Sequence, residues 1–431
     1  MIKAMIRKAG RLVLFAAVLV LFAAGCSGRP DHEPVEGEVV TVRFWHAMGG
    51  PLGEILNSMI DEFNASHPGM YIHSESMGTY EALRQRLLAS VIAGNQPEMA
   101  QAYESWIATL IGGEALVDLG ELDPDFLAEL DDFFPVFIEN SYYNGRLMSL
   151  PFNKSVPIIY YNRDMFRRAG LDPSRPPRTW DEFLQTARVL TRDLDGDGTP
   201  DQWGHKFSDH ATYFECLLVQ NGGVIFDPET NQAIFDSPEG VGALQYLVDL
   251  VHRHRVADFY LGGYDHQVDF SAGRVGMIVA SCVSRTFMRH QIKFDWGMAP
   301  LLQNRKPGAL VYGTNTVILS RARPAQRQAA WEFIKWFTSP EITARWALAT
   351  GYVPVRRSAR ELPIMREEFE RDPDSRVPID MLDYAFFEPR WPEWLRARDF
   401  LAEGVKEALL GKLSPEQALR RAAEKGNFWL R

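Results

Sequence analysis

Between Val40 and Glu104 the apolar residues switch repeatedly between a period of two and a helical period, and this alternation narrows the available folds most. Val40-Thr41-Val42-Arg43-Phe44-Trp45 alternates as a strand does. From Pro51 the spacing turns helical, with Leu52, Ile55, Leu56, Met59, Ile60 and Phe63 on one face. The breaker-rich run Asn64-Ala65-Ser66-His67-Pro68-Gly69 stops it. A second strand follows around Met70 to Glu75, then a helix through Leu83, Leu87, Leu88 and Val91, then a third short strand ending near Tyr103-Glu104. Strand, helix, strand, helix, strand is the signature of an α/β fold, a parallel sheet covered on both faces.

Further along, Val156-Pro157-Ile158-Ile159-Tyr160-Tyr161-Asn162 reads as an extended crossing segment. Thr179-Trp180-Asp181-Glu182 and Ser414-Pro415-Glu416-Gln417 fit capping boxes that open helices. Val275 to Ala280 is a buried strand, with Ser281 where a helix could begin. Trp331, Phe333, Trp336 and Trp346 recur at helical spacing and are expected in the core, and Gly351 ends a helix before Tyr352. The charged, proline-rich stretch from Arg360 to Arg390 is expected to be irregular surface. Roughly 400 residues after the N-terminal segment exceed what one core supports, so two domains are expected.

The N-terminus sets the compartment. Lys3, Arg7, Lys8 and Arg11 precede an apolar run from Leu12 to Ala24, the layout of an export signal. That run is too short for a span, which needs roughly 20 residues. Ala23-Ala24-Gly25-Cys26 resembles a bacterial lipobox, which implies removal of residues 1–25, a lipid on Cys26 and a polar tether over 26–38. The alternative is an ordinary secretory signal with an incidental cysteine. A net charge of −10 without a basic stripe argues against nucleic-acid binding. Cys216 and Cys282 remain and are expected to be two separate buried thiols.

Catalytic signatures are missing from the sequence: there is no G-x-S-x-G, H-E-x-x-H, P-loop or paired C-x-x-C pattern. Asp193, Asp195, Asp197 and Asp201 sit in a loop like the opening half of an EF-hand, but its twelfth position is Gly204 rather than a bidentate Glu. Either a structural calcium or a solvated acidic turn fits; no other cofactor is expected. The positive signal is aromatic. Trp45, Tyr80, Tyr103, Trp106 and Tyr352 fall at strand ends or in loops, where an open α/β sheet binds its ligands. Ring faces there cover the C–H surface of a sugar or polyol while polar groups satisfy its hydroxyls.

Several motifs in this order resemble the family 1 extracellular solute-binding proteins of bacterial ABC importers. They include Val42-Arg43-Phe44-Trp45-His46, Gly94-Asn95-Gln96-Pro97-Glu98, Leu150-Pro151-Phe152-Asn153, Tyr160-Tyr161-Asn162 and Thr350-Gly351-Tyr352-Val353-Pro354-Val355. Gln101-Ala102-Tyr103-Glu104 and Ser414-Pro415-Glu416-Gln417-Ala418-Leu419 are most similar to the glycerol-3-phosphate-binding periplasmic subgroup. The resemblance implies a two-lobed periplasmic-binding-protein fold of type II-like form with a cleft between lobes. Residues 39–150 with about 305–350 would form the first lobe, and 151–304 with about 351–431 the second. It implies ligand contacts from Tyr80, Glu104, Ser155, Ser281, Gly313 and Tyr352, with Trp45 as a further aromatic candidate. Phosphate would suit Ser281 and the helix start beyond it, completed by Arg396 or, preferably, Arg398. Two departures stand out. Lys154 replaces a small residue, and Phe207-Ser208-Asp209-His210-Ala211-Thr212-Tyr213-Phe214 replaces a tryptophan-rich stretch.

The expectation is an exported, lipid-anchored receptor, monomeric and not an enzyme. It would capture glycerol-3-phosphate or a glycerophosphodiester by cleft closure and deliver it to an inner-membrane permease. A receptor for a neutral sugar or oligosaccharide is the alternative. A lipid-anchored glycan or phosphodiester hydrolase is the third.

Overall fold

The computed structural model describes residues 39–430. The expected signal peptide, Cys26 and the tether lie outside the described residues. Strand β1 (Val40–His46), helix α1 (Gly50–Ser66), β2 (Met70–Ser76), α2 (Tyr80–Ala93), β3 (Met99–Ala102) and α3 (Glu104–Gly112) follow in the alternation read from the sequence. Each punctuation mark has a local cause. Thr79 accepts from Ala82 N–H at 3.2 Å to open α2, and Gly94 closes it in the left-handed conformation at φ 73°.

β4 (Leu150–Ser155) and β5 (Pro157–Asn162) are separated by the single residue Val156, where the chain leaves one sheet for the other. Then come α4 (Trp180–Leu190), β6 (Trp203–Ser208), α5 (Ala211–Gln220), α6 (Pro238–Val248), β7 (Ala257–Tyr260), α7 (Asp265–Ser271), β8 (Val275–Ser281), α8 (Ser284–Met288) and β9 (Trp296–Ala299). The chain returns through β10 (Ala309–Ile318), α9 (Pro324–Phe337) and α10 (Pro340–Thr350). It finishes with β11 (Ala385–Phe387), α11 (Trp394–Leu409) and α12 (Pro415–Leu430).

The first sheet runs β11-β10-β3-β1-β2 with β4 also on β10, and the second runs β7-β6-β8-β5-β9. β1 is parallel to β2 and β3, whereas β10 is antiparallel to β3 and β4. All of β5 is buried, as a strand covered on both faces must be. Trp331 and Trp346 are fully enclosed, and Cys216 and Cys282 are separate buried thiols.

The stretch expected to be irregular is built. It contains a helix, Pro363–Arg371, and β11, which pairs in parallel with β10 at Ala309, Leu310 and Val311. Its partner strand is remote in sequence, so nothing local announced it. β11 belongs to the first sheet, a correction to the expectation that 351–431 fall wholly in the second lobe, because its pairing partner β10 lies there. The closing helices do lie with that lobe: α11 packs on α5 and α12 on α6.

At the junction of the sheets, Gly313 has φ +111°, and a Cβ there would sit 1.9 Å from the Asn153 carbonyl oxygen. Only glycine fits. This close approach draws β10 against β4 where the chain crosses between lobes, with Tyr312 opposite Ser155.

Candidate functional site: a cleft between the lobes

A cavity of about 680 Å³ opens where the sheets meet. The first lobe contributes Met48, Tyr80 from the start of α2, Tyr103 from the cap of α3, and Asn153 and Ser155 from β4. The second lobe contributes Gln267 from α7, Ser281 from the end of β8 and Ser284 from α8. Tyr312, Gly313 and Tyr352 close the floor from the crossing segments.

Asn153 organises the floor. Its amide nitrogen donates to the Tyr80 hydroxyl at 2.9 Å and the Tyr352 hydroxyl at 3.0 Å. Its oxygen accepts from Thr314 N–H at 2.9 Å and the Thr314 hydroxyl at 2.5 Å. Tyr80 meets Tyr103 edge-on at 5.0 Å, and Tyr352 stacks on Trp346 at 5.7 Å. Burial pushes the Tyr80, Tyr103 and Tyr352 phenols up from their ordinary value, so all three stay protonated. Neutral hydroxyls over aromatic faces are what a polyol needs.

Side chains alternate along a strand, so the residue between Asn153 and Ser155 points the other way. Lys154 is fully buried, with its ammonium 3.0 Å from Glu104 Oε1. Burial lowers its pKa, and Glu104 opposes that. The unexpected positive charge is thus matched inside the first lobe and does not face the cavity.

Residues 58–376 match the family described as bacterial extracellular solute-binding proteins. This chain belongs to that family. The sn-glycerol-3-phosphate-binding periplasmic protein UgpB of Pectobacterium atrosepticum is 30% identical, over 99% of this chain and 96% of its own. Its counterpart in Yersinia pseudotuberculosis is 29% identical, over 91% and 93%. Among solved structures, UgpB from Mycobacterium tuberculosis in complex with glycerophosphocholine superposes with a TM-score of 0.81 at 22% identity, covering 90% of this chain and 98% of that one. The cyclic α-maltosyl-1,6-maltose binding protein of Arthrobacter globiformis gives 0.78 at 26% identity, over 91% and 99%. The two lobes and their cleft are those of a periplasmic solute-binding protein.

Within this solute-binding protein, Tyr80, Ser155, Ser281, Gly313 and Tyr352 come together in the cavity wall. Ser281 is fixed there because the buried Tyr160 hydroxyl donates to its carbonyl at 2.8 Å and accepts from Arg285 N–H at 3.0 Å. Three expected contacts are not among the residues lining this cavity. Glu104 is occupied by Lys154 behind the wall. Trp45 is on the first-sheet side, donating from Nε1 to Glu75 at 2.9 Å, because its strand register sets it beside β2. Arg398 pairs with Glu388 at 2.6 Å, lies 3.7 Å from the fully buried Glu215, and donates at 2.8 Å to the hydroxyl of Thr212, which lines a smaller recess beside the main cavity. Burial pushes the Glu215 carboxyl up, and Arg398 pulls it back. Arg396 points away, over the Trp429 ring at 4.2 Å, since positions two apart on a helix face opposite sides.

Asn153 and Tyr312 were not singled out as contacts from sequence. The signal for Asn153 was present: an amide inside an apolar strand needs partners. In the acidic loop, Asp193, Asp195 and Asp197 bring carboxylate oxygens within 4.8 Å of one another. Asp201 instead accepts from Leu194 N–H at 2.7 Å. No helix among the described residues is long and apolar enough to cross a membrane.

Proposed function

We propose that this chain is the lipid-anchored solute receptor of an ABC importer in the bacterial envelope, binding without turnover and acting as a monomer. Its solute is glycerol-3-phosphate or a glycerophosphodiester. The observation that carries this reading is the cavity into which both lobes send hydroxyls and amides, floored by Tyr80, Asn153 and Tyr352. Such a site closes by bringing the lobes together on the ligand, and the closed form is what a permease would recognise. The end-to-end likeness to glycerol-3-phosphate-binding proteins supports the solute class. The lipobox-like Ala23-Ala24-Gly25-Cys26 supports the anchor.

One observation favours a neutral sugar as a second reading. Neither lysine nor arginine is among the residues lining the cavity, and the Arg398 guanidinium is already paired with Glu388. The diester, with one negative charge fewer than the monoester, fits that inventory better.

Titration calorimetry of residues 27–431 with glycerol-3-phosphate, glycerophosphodiesters and a panel of mono- and oligosaccharides decides between them. Binding of phosphorylated polyols alone supports the first reading, and binding of sugars alone replaces it with the second. Conversion of any bound compound to product would remove the claim that the protein binds without turnover.

A further inference from the structure

The last crossing between the lobes runs through residues 388–393, and its two ends are tied to different lobes. On the first-lobe side, β11 pairs with β10. Just past it, Arg390 Nη1 donates to the Glu139 carbonyl at 2.6 Å and to the Tyr142 carbonyl, and its guanidinium lies 5.1 Å over the Tyr143 ring. On the second-lobe side, the buried Trp394 meets Phe226 edge-on at 6.0 Å, and α11 packs on α5. Glu388 therefore moves with the first lobe, and Trp394 and Arg398 move with the second.

Those two second-lobe side chains hold the Glu388 carboxylate. Trp394 Nε1 donates to Oε2 at 3.3 Å, and Arg398 Nε stands 2.6 Å from Oε1. Arg398 has another carboxylate within reach: Glu215 on α5 is fully buried, with Oε1 3.7 Å from Arg398 Nε. Among the described residues, neither Glu215 oxygen has a hydrogen-bond partner, and Arg398 Nε lacks an aligned acceptor even beside Glu388. A buried carboxylate left without a partner carries a large desolvation penalty. Burial raises the Glu215 carboxyl, Arg398 opposes that, and Glu388 adds to it. With Arg398 committed to Glu388, the neutral acid is the form that this burial favours. A donor and an acceptor thus stand unmade within one lobe, and what commits the guanidinium elsewhere belongs to the other lobe.

We propose that Arg398 is a two-position switch between the lobes: it holds Glu388 in the arrangement described, and passes to Glu215 when lobe movement withdraws Glu388. The exchange gives the hinge two discrete arrangements instead of a continuum. Glu215 ionises as it takes the guanidinium, and its proton leaves to solvent. Tyr103 at the start of α3, His210 ahead of α5, Cys216 on α5 and Asp399 on α11 are the other titratable groups that act on the cluster. The switch does not depend on which solute the cleft holds.

The test uses residues 27–431 without ligand. Spin labels on Ile92→Cys in α2 and Val189→Cys in α4, both exposed positions, report the distance between lobes, while the fully buried Cys216 and Cys282 stay unlabelled. Glu388→Gln should move the population from the wild-type distance to a second, discrete one. Their ratio should change at least about tenfold, as the loss of one hydrogen bond to a charged group requires. Adding Glu215→Gln should abolish the second distance. In the infrared, the wild type should show a protonated carboxylic-acid band that Glu215→Gln removes. Glu388→Gln should diminish the same band, because Glu215 has then ionised. Should Glu388→Gln not fold, Glu388→Asp, one methylene shorter, is read in the same way. A distance distribution that the Glu388 variant leaves unchanged would overturn the switch. So would a second distance that survives Glu215→Gln, or an acid band that the Glu388 variant leaves intact.

Discussion

At the residue scale, the cleft depends on two neighbours in β4 whose side chains face opposite ways. Asn153 hydrogen-bonds Tyr80, Tyr352 and Met48 of the cavity wall and the buried Thr314. Asn153→Leu would leave the Thr314 amide and two tyrosyl hydroxyls short of partners, at about 2–4 kcal/mol of stability. Urea unfolding measures that loss, and calorimetry should show affinity for the bound solute falling with it. Lys154 makes the opposite contribution, a charge sequestered from the ligand. Lys154→Met alone strands Glu104 in the interior and should cost about 3–5 kcal/mol, whereas adding Glu104→Gln should recover most of it. A double-mutant cycle in urea separates the pair from its members. If Lys154→Met costs nothing, the pair does not hold the wall.

Among the elements, the crossing strands matter most. Gly313 lets β10 approach β4 at a distance that no side chain permits. Gly313→Ala should lower stability by about 3 kcal/mol or more through positive-φ strain and the clash with the Asn153 carbonyl. The urea midpoint reads it, and an unchanged midpoint would mean that the strands can separate freely. Helix boundaries were legible because caps are local. Thr179 and Glu182 form the reciprocal capping box that their spacing announced, and Ser414 and Gln417 exchange bonds at 3.2 Å. β11 was illegible because a short strand among charges and prolines is defined only by the partner it finds.

For the whole molecule, acid is the revealing perturbation. His46, His205 and His266 are buried, and burial is the main cause holding each at about 4 against an ordinary 6.5. Between those values the unfolded chain binds more protons. Their contribution is therefore complete above about pH 6.5 and is lost as pH falls towards 4, by up to about 3 kcal/mol for each residue. Glu215, raised above its ordinary 4.5, and Asp236, Asp374 and Asp399, also raised by burial, act in the opposite sense, while His210 and His254, lowered by burial, act with the three. The urea midpoint should fall between pH 7 and pH 4.5, and His205→Gln should flatten that slope. The anchor is tested on the cell: Cys26→Ser should move the protein from the membrane to the soluble envelope fraction. Protein retained at the membrane would instead point to attachment by another route.

By itself the sequence determined the fold class, the alternation of strands and helices from Val40 to Glu104, and five residues that the cavity wall brings together: Tyr80, Ser155, Ser281, Gly313 and Tyr352. Period, caps and family motifs are written in neighbouring residues, so they survive reading in one dimension. Tertiary structure decided which polar groups remain available to a solute. Glu104 is engaged by Lys154, fifty positions away in sequence. Arg398 is engaged by Glu388 and by the Thr212 hydroxyl. A charge or hydroxyl is free or spent according to what packs against it, and packing brings together residues that the chain keeps far apart.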